Sequence, residues 1–168
     1  MFKVIQAISI KLGLDAKEYL KYLDIVCVGT ISDIVPLIDE NRVIAKLGLK
    51  LIAQTKNIGL KTLILESGYK KIDSNTISFG VAPRINACGR MGHQYEALDL
   101  FLTDNIVEAK RITKKLNSYN TERQVKEKEI FNEATKALEK ENINSINSIV
   151  LAGENWHHRS NRNMLKWV

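Results

Sequence analysis

The chain has 168 residues, of which 45% are hydrophobic and 26% are charged, and its formal net charge at pH 7 is +6. The length suits one ordinary domain with a core and an appendage, and the composition excludes a disordered or fibrous protein. No apolar run is as long as the roughly 18 to 20 residues of a membrane span, and no secretory signal is recognisable, so we expect a cytoplasmic protein without a membrane partner.

Charge and cysteine content narrow the class further. The positive charge leaves nucleic acid open as a partner, although the lysines are scattered and also serve as ordinary helix solubilisers. Cys27 and Cys88 are too few and too far apart for a disulfide framework, which fits a reducing compartment. Both are explained as small residues in packed or loop positions, and neither is expected to be a nucleophile or a zinc ligand.

The first third of the chain predicts three helices. Apolar residues recur at helical spacing over residues 2–12 and again over 16–30, although residues 25–28 alone would also suit a buried strand. We interpret them as helical. Residues 41–53 form the third predicted helix, for which Asn41 is a possible N-cap.

Shorter elements are predicted in the middle of the chain. The pattern indicates a helix over residues 60–66, a further turn over 74–79 with Ser74 as its cap, and another helix over 95–102. Residues 82–92 contain two arginines, two glycines and a proline, and this density of helix breakers predicts a loop.

A long helix is predicted in the last third. Residues 105–141 contain neither glycine nor proline, and after Tyr119 the apolar stripe thins among many charges. Such a pattern is typical of a solvent-bridging helix between two bodies. Residues 148–152 then predict a short buried strand that begins another domain.

A single carboxylate, Asp33, lies among apolar residues shortly before Pro36. An ionised carboxylate that is buried without a partner is costly, so such groups are normally paired, hydrogen-bonded or bound to a metal. Pro36 removes an amide donor and turns the chain into a loop by about Val35, which places Asp33 at the end of a helix. The residues alone leave two interpretations, a cap that binds local amides and a functional ligand that a cleft can reach.

Three sequence blocks occur in the order that one known family shows: GTISDIVPL followed by ENR, then APRINACGRMG, then WHH. On these blocks the chain resembles the RecJ family of single-strand-specific DNA exonucleases, in the DHH phosphoesterase superfamily. The resemblance implies an α/β family fold, of which this chain is a predominantly α-helical portion with a long connector helix and one short C-terminal strand. It also implies 5′-to-3′ hydrolysis of phosphodiester bonds by two-metal catalysis with Mn²⁺ or Mg²⁺, in DNA repair and recombination.

The resemblance further implies how the chain is divided. Residues 1–104 correspond to the C-terminal half of a DHH-type catalytic domain, 105–142 to the connector helix, and 143–158 to the start of a second, DHHA1-type domain. Residues 159–168 are interpreted as an out-of-frame tail. A one-base slip would turn codons for the family's Gly-Val-Ile-Gly-Ile into codons for the Arg-Ser-Asn-Arg-Asn found here.

Candidate site residues follow from their positions in the matched blocks. Asp33 matches the family's last metal-ligand aspartate. The resemblance makes Arg84, Arg90 and Asn86 candidate contacts for single-stranded DNA, while Trp156 and His157 are the remnant of a second-domain motif. The alternative is structural: the arginines would bond carbonyls of a tight loop, and the asparagine would hold the loop backbone.

The family's other metal motifs lie upstream of the GTISD block and do not occur in this chain. We therefore expect the chain to be inactive alone and to require the N-terminal half of the enzyme as a partner. A rival function is a non-catalytic helical DNA-binding or adaptor module that uses the basic surface and the long helix. A phosphoesterase acting on small nucleotides is disfavoured by the PRINACGR block.

Overall fold

The computed structural model describes residues 2–139, 150–153 and 156, and the ordered elements within these residues are helical. The predominantly helical prediction is confirmed. Residues 148 and 149 of the predicted strand lie outside the described part, as does the tail 159–168, and residues 150–152 take no strand conformation. The elements are α1 (Phe2–Lys11), α2 (Lys17–Leu20), α3 (Leu23–Ser32), α4 (Asp39–Ile52), α5 (Ile58–Glu66), a π-helix (Thr76–Val81), α6 (Ala82–Arg90), α7 (Gln94–Leu102) and α8 (Ile106–Leu138).

The predicted helix over residues 16–30 is two helices, α2 and α3, because the backbone leaves the helical region at Tyr22, with φ −94° and ψ 4°. The choice of helix for residues 25–28 is confirmed. Asn41 is not the cap of α4, which begins two residues earlier, at Asp39. Its side chain instead donates to the Pro36 carbonyl oxygen at 3.1 Å and ties α4 to the preceding connection.

The predicted loop over residues 82–92 is wrong, because residues Ala82–Arg90 form helix α6. Pro83 lies in the first turn, where a missing N–H breaks no intrahelical hydrogen bond and the fixed φ favours the helix. The helix ends at Arg90, and Gly92, two residues further on, has a φ of +84° that only glycine adopts readily. The cap of the preceding turn is Asp73, whose Oδ1 accepts from the Thr76 backbone N–H at 3.1 Å, and not Ser74 as predicted.

Helices α3 and α4 pack closely because a glycine lies at their contact. A Cβ on Gly48 would lie 2.2 Å from the Cβ of Cys27 and 2.6 Å from the Leu23 carbonyl oxygen. The Cys27 thiol points to the Ala45 carbonyl oxygen, 3.6 Å away. Helix α3 also packs on the π-helix, which continues directly into α6. The π-helix therefore connects α3, which contains most of the GTISD block, with α6, which contains the PRINACGR block.

The core continues from this helix pair to the long helix. Helices α5, α6 and α7 each pack on α8, and Asn57 fixes the start of α5 by accepting from the Leu60 backbone N–H at 2.8 Å and donating to the Phe101 carbonyl oxygen at 2.7 Å. The buried apolar side chains are Cys27, Val28, Ile31, Ala45, Ile52, Leu60, Leu63, Ile64, Ile77, Val81, Cys88, Ala97, Leu100, Ala109, Ile112 and Leu116.

The long helix is confirmed as α8, whose 33 residues extend over about 50 Å at the usual helical rise. Its cap is Asn105, whose Oδ1 accepts from the backbone N–H groups of Val107 and Glu108 at 2.8 and 3.3 Å. In the part of the chain described here, no helix is long and apolar enough to cross a bilayer.

An apolar groove of about 480 Å³ lies between α1 and α4. Phe2 of α1 and Val43 and Leu47 of α4 line it, and a salt bridge from Lys3 to Glu40 at 2.7 Å crosses its edge. Val43 and Leu47 remain exposed in the groove, and α1 carries further exposed aliphatic side chains, Val4, Ile8 and Ile10.

Replacing Gly48 with alanine should separate α3 from α4. We expect Gly48→Ala to lower the free energy of unfolding by about 1–3 kcal/mol, since the new methyl group overlaps Cys27 and the backbone of Leu23. Gly29→Ala is the matched control in α3, where a Cβ meets nothing within 4 Å, and it should raise stability by up to about 1 kcal/mol. Urea denaturation followed by circular dichroism measures both, and equal changes would contradict the close packing.

Stability should also fall in alkaline solution because of Cys27. Burial raises the pKa of this thiol to about 11, with a smaller contribution from Asp24. Between pH 9 and 11 the folded state therefore keeps a proton that the unfolded state releases, and the free energy of unfolding should fall by about 1–3 kcal/mol. Cys27→Ala should be less stable at neutral pH but show a shallower decline over this window. An unchanged decline would exclude this thiol as a cause.

Candidate functional site

Asp33 is the C-cap of α3, and its side chain is exposed. Its backbone N–H donates to the Gly29 carbonyl oxygen at 3.1 Å, and that of Ile34 donates to Ile31 at 3.2 Å. Ile34 has a φ of +54°, a left-handed conformation that is rare for a β-branched residue and that turns the chain sharply after the carboxylate. The predicted position at a helix end is confirmed.

The surroundings of Asp33 favour a cation. Within the described residues its carboxylate accepts no hydrogen bond and forms no ion pair, so it does not cap local amides. It lies at the negative end of the α3 dipole, where a second negative charge is unfavourable and a positive charge is stabilised. The neighbouring Ser32 Oγ is buried and has no hydrogen-bond partner within the described residues.

Asp33 does not make a metal site by itself. The described residues contain no group of three or more histidine, cysteine, aspartate or glutamate side chains arranged to hold an ion. Divalent ions such as Mg²⁺ take about six oxygen ligands, of which one or two are commonly carboxylates. These residues therefore fit one ligand of such an ion and do not fit a complete centre.

Arg84 is committed to internal contacts. Its Nε donates to Asn117 Oδ1 of α8 at 2.5 Å, and its Nη1 donates to the Gly80 carbonyl oxygen of the π-helix. Burial lowers the pKa of the guanidinium from its usual value. Arg84 thus joins α6 to α8 and to the π-helix by hydrogen bonds, as the structural alternative for this residue proposes.

Arg90, at the end of α6, differs from Arg84 because its guanidinium is not engaged in hydrogen bonds within the described residues. The Arg90 side chain donates no hydrogen bond to the described residues, and its Nη1 atom is buried without an acceptor. The only charged group within ion-pair range there is Glu127 of α8, whose Oε1 lies 3.7 Å from Nη1. Asn86 is exposed one turn earlier and shares this face of α6, since residues four apart are neighbours on a helix.

Sequence reasoning did not single out Asn117 or Glu127. Helical spacing indicates a pair between Glu127 and Arg123, which meet at 2.6 Å four residues apart. No local signal connects Glu127 with Arg90 or Asn117 with Arg84, because these pairs join different helices. Periodicity reports neighbours on one helix and not contacts between helices.

Trp156, which belongs to the predicted second-domain motif, contacts α8. The Trp156 indole Nε1 donates to Glu133 Oε2 at 2.8 Å. His157 lies outside the described residues.

Comparison with known proteins identifies related sequences. The chain is 37% identical to the single-stranded-DNA-specific exonuclease RecJ of Bacillus subtilis over 137 residues, which cover 80% of this chain and 17% of that protein. It is 38% identical to RecJ of Thermus thermophilus over 75% of this chain and 18% of the relative, and 33% identical to RecJ of Escherichia coli over 70% and 21%. No protein-family model matches the chain.

Solved structures agree with the sequences. The crystal structure of Thermus thermophilus RecJ in complex with Mn²⁺ superposes with a TM-score of 0.71 at 37% identity, covering 76% of this chain and 19% of that one. A structure of exonuclease RecJ bound to manganese gives a TM-score of 0.73 at 36% identity, covering 79% and 34%.

The curated relatives are of one class, the single-stranded-DNA-specific exonucleases. Within that class the chain belongs to the RecJ family, as the three sequence blocks predicted. The chain spans about a fifth of the length of the curated relatives that it matches.

The two arginines of α6 should differ when each is replaced by methionine. Arg84→Met leaves the Gly80 carbonyl and Asn117 without their donor, and we expect the free energy of unfolding to fall by about 1–3 kcal/mol. Arg90→Met removes a guanidinium that makes no hydrogen bond in the described part of the chain, and stability should change by less than about 0.5 kcal/mol. Urea denaturation measures both; an equal loss would contradict the division of roles.

Proposed function

We propose that this chain forms part of a metal-dependent exonuclease that hydrolyses single-stranded DNA from 5′ to 3′, in the cytoplasm, during DNA repair and recombination. Asp33 is one ligand of a Mn²⁺ or Mg²⁺ centre that works by two-metal catalysis. The observation that carries the proposal is the exposed carboxylate of Asp33, unpaired within the described residues at the negative end of α3, in the GTISDIVPL block that resembles the family motif.

The relatives support the choice of substrate and ion. The matched proteins are named single-stranded-DNA-specific exonucleases, and solved RecJ structures contain Mn²⁺ or Mg²⁺. Hard oxygen ligands suit both ions. We infer that the remaining ligands come from parts of the family that this chain does not match, the predicted N-terminal half, so the chain alone is inactive.

The nucleic-acid contacts are proposed on α6. Arg90 has unused guanidinium donors, and Asn86 presents an exposed amide on the same face. Guanidinium groups bind phosphate through charge-assisted hydrogen bonds. Arg84 contributes by holding this helix in place, since its Nε and Nη1 are engaged with Asn117 and Gly80.

A complementation experiment tests the proposal. The chain alone should release no nucleotides from labelled single-stranded DNA in Mn²⁺. Mixing it with a polypeptide that carries the rest of Bacillus subtilis RecJ should restore release. Asp33→Asn should reduce the restored rate by more than the roughly 10- to 100-fold that loss of an outer-shell partner costs. Asp39→Asn is the matched control, because it removes the same charge at the start of α4 and asparagine tolerates the φ of +44° there.

Two outcomes would contradict this assignment. Robust turnover by the chain alone would refute the need for further ligands. Equal complementation by the unaltered chain and Asp33→Asn would remove the metal ligand from this position.

The rival is a non-catalytic helical DNA-binding or adaptor module. The net charge of +6 and the unused donors of Arg90 favour it as the second candidate. Under this function the chain would bind DNA with a strong salt dependence, and complementation would yield no nuclease activity.

A further inference from the structure

A stacked aromatic pair lies where the turn between α6 and α7 meets α8. The imidazole of His93 and the ring of Tyr119 are parallel within 8°, with centroids 4.7 Å apart. Glu96 lies 3.4 Å from the Tyr119 hydroxyl through both carboxylate oxygens, and Lys115 pairs with Glu96 at 2.9 Å. Glu96 and Lys115 therefore fix the hydroxyl end of Tyr119, while the His93 side chain is exposed.

Two guanidinium groups lie further along the same helices, Arg123 on α8 and Arg90 at the end of α6. Arg123 Nη1 donates to Glu127 Oε1 at 2.6 Å, and its Nε and Nη2 donate to Asn120 Oδ1 at 3.3 and 3.1 Å. These contacts use three of the five N–H donors that an arginine carries. Arg90 approaches the same Glu127 oxygen at 3.7 Å without a hydrogen bond. One carboxylate thus faces two guanidinium groups, which leaves an excess of positive charge. The Arg90 and Arg123 side chains are 25% and 14% exposed, and the unpaired Nη1 of Arg90 is itself buried.

The aromatic and basic groups are in register. Tyr119 and Arg123 are four residues apart on α8, so they share one face with an axial separation of about 6 Å. On the opposing side, Arg90 and His93 are three residues apart around the end of α6. A flat surface and a pair of donors therefore lie next to each other. A nucleotide has this same pairing of a flat base and an adjacent phosphate.

We propose that this surface, the nucleotide face, binds one nucleotide of single-stranded DNA. The base stacks on the outer side of His93, and Arg90 and Arg123 share the phosphate. Glu127 holds the two guanidinium groups together and limits the affinity for the phosphate. The choice of single-stranded DNA rests on the proposed function; the new content is the role of His93, Tyr119, Arg123 and Glu127.

The experiment is the binding of fluorescein-labelled oligothymidylate to the full chain, measured by anisotropy over a range of salt concentrations. Arg123→Gln should weaken binding and reduce the slope of log affinity against log salt by up to about 0.7. His93→Ala should weaken binding by roughly 5- to 150-fold, the range for loss of one stacked base, and leave the salt slope unchanged. Glu127→Gln should tighten binding.

Matched controls separate the site from general charge and aromatic content. Arg111→Gln removes the same charge from the exposed start of α8, where Arg111 pairs with Glu108, and should have little effect. Tyr22→Ala removes an exposed aromatic ring at the start of α3. Thermal melting of each variant verifies that it folds.

Each outcome decides between the proposals. If Arg90→Gln weakens binding but Arg123→Gln and His93→Ala bind like the unaltered chain, the nucleotide face is wrong and the α6 contacts remain. If Glu127→Gln lowers the melting temperature without tightening binding, the ion pairs of Glu127 with Arg90 and Arg123 only stabilise the packing of α6 on α8. If the unaltered chain does not bind, or Arg90→Gln binds equally well, the nucleic-acid contacts under the proposed function fail as well.

Discussion

Three helices depend on one buried stripe of α8. Helices α5, α6 and α7 all pack on this helix, and Ala109, Ile112 and Leu116 are the apolar residues at its centre. Burial of the larger side chains, Ile112 and Leu116, contributes on the order of 1.5–3 kcal/mol each, so the stripe sets how the three helices sit relative to one another. Beyond Leu116 the contacts to α6 change from apolar to polar, through Asn117 and Glu127. The same helix therefore supplies both the core and the polar groups that face the motif arginines.

The sequence predicted those parts of the fold where a local rule and the tertiary packing agree. The apolar period of α8 and the end of α3 before Pro36 are both visible in the chain. The loop predicted over residues 82–92 failed because breaker residues were counted without regard to position. Pro83 does not disrupt a helix when it lies in the first turn. Cys88 is buried, so it packs α6 into the core.

The candidate site shows a similar division. Asp33 stands out in the sequence because a carboxylate between apolar residues is unusual, and the resemblance to the family gives it the predicted role of a metal ligand. The difference between Arg84 and Arg90 could not be found, since it depends on partners in other helices, Asn117 and Glu127. In the sequence alone, Arg84 and Arg90 are equivalent guanidinium groups of one motif. Only the packing of α6 decides which guanidinium is occupied and which has donors left over.

The hydrogen bonds of Arg84 to α8 and the π-helix have an electrostatic consequence. Its acceptors, Gly80 and Asn117, are neutral oxygens, and no carboxylate lies within ion-pair distance among the described residues. The charge is therefore partly removed from solvent yet not cancelled. A fixed positive potential results around α6, and it extends further than any hydrogen bond. Such a potential attracts a polyanion before contact is made, so under the proposed function Arg84 would raise the rate of encounter with nucleic acid without touching it.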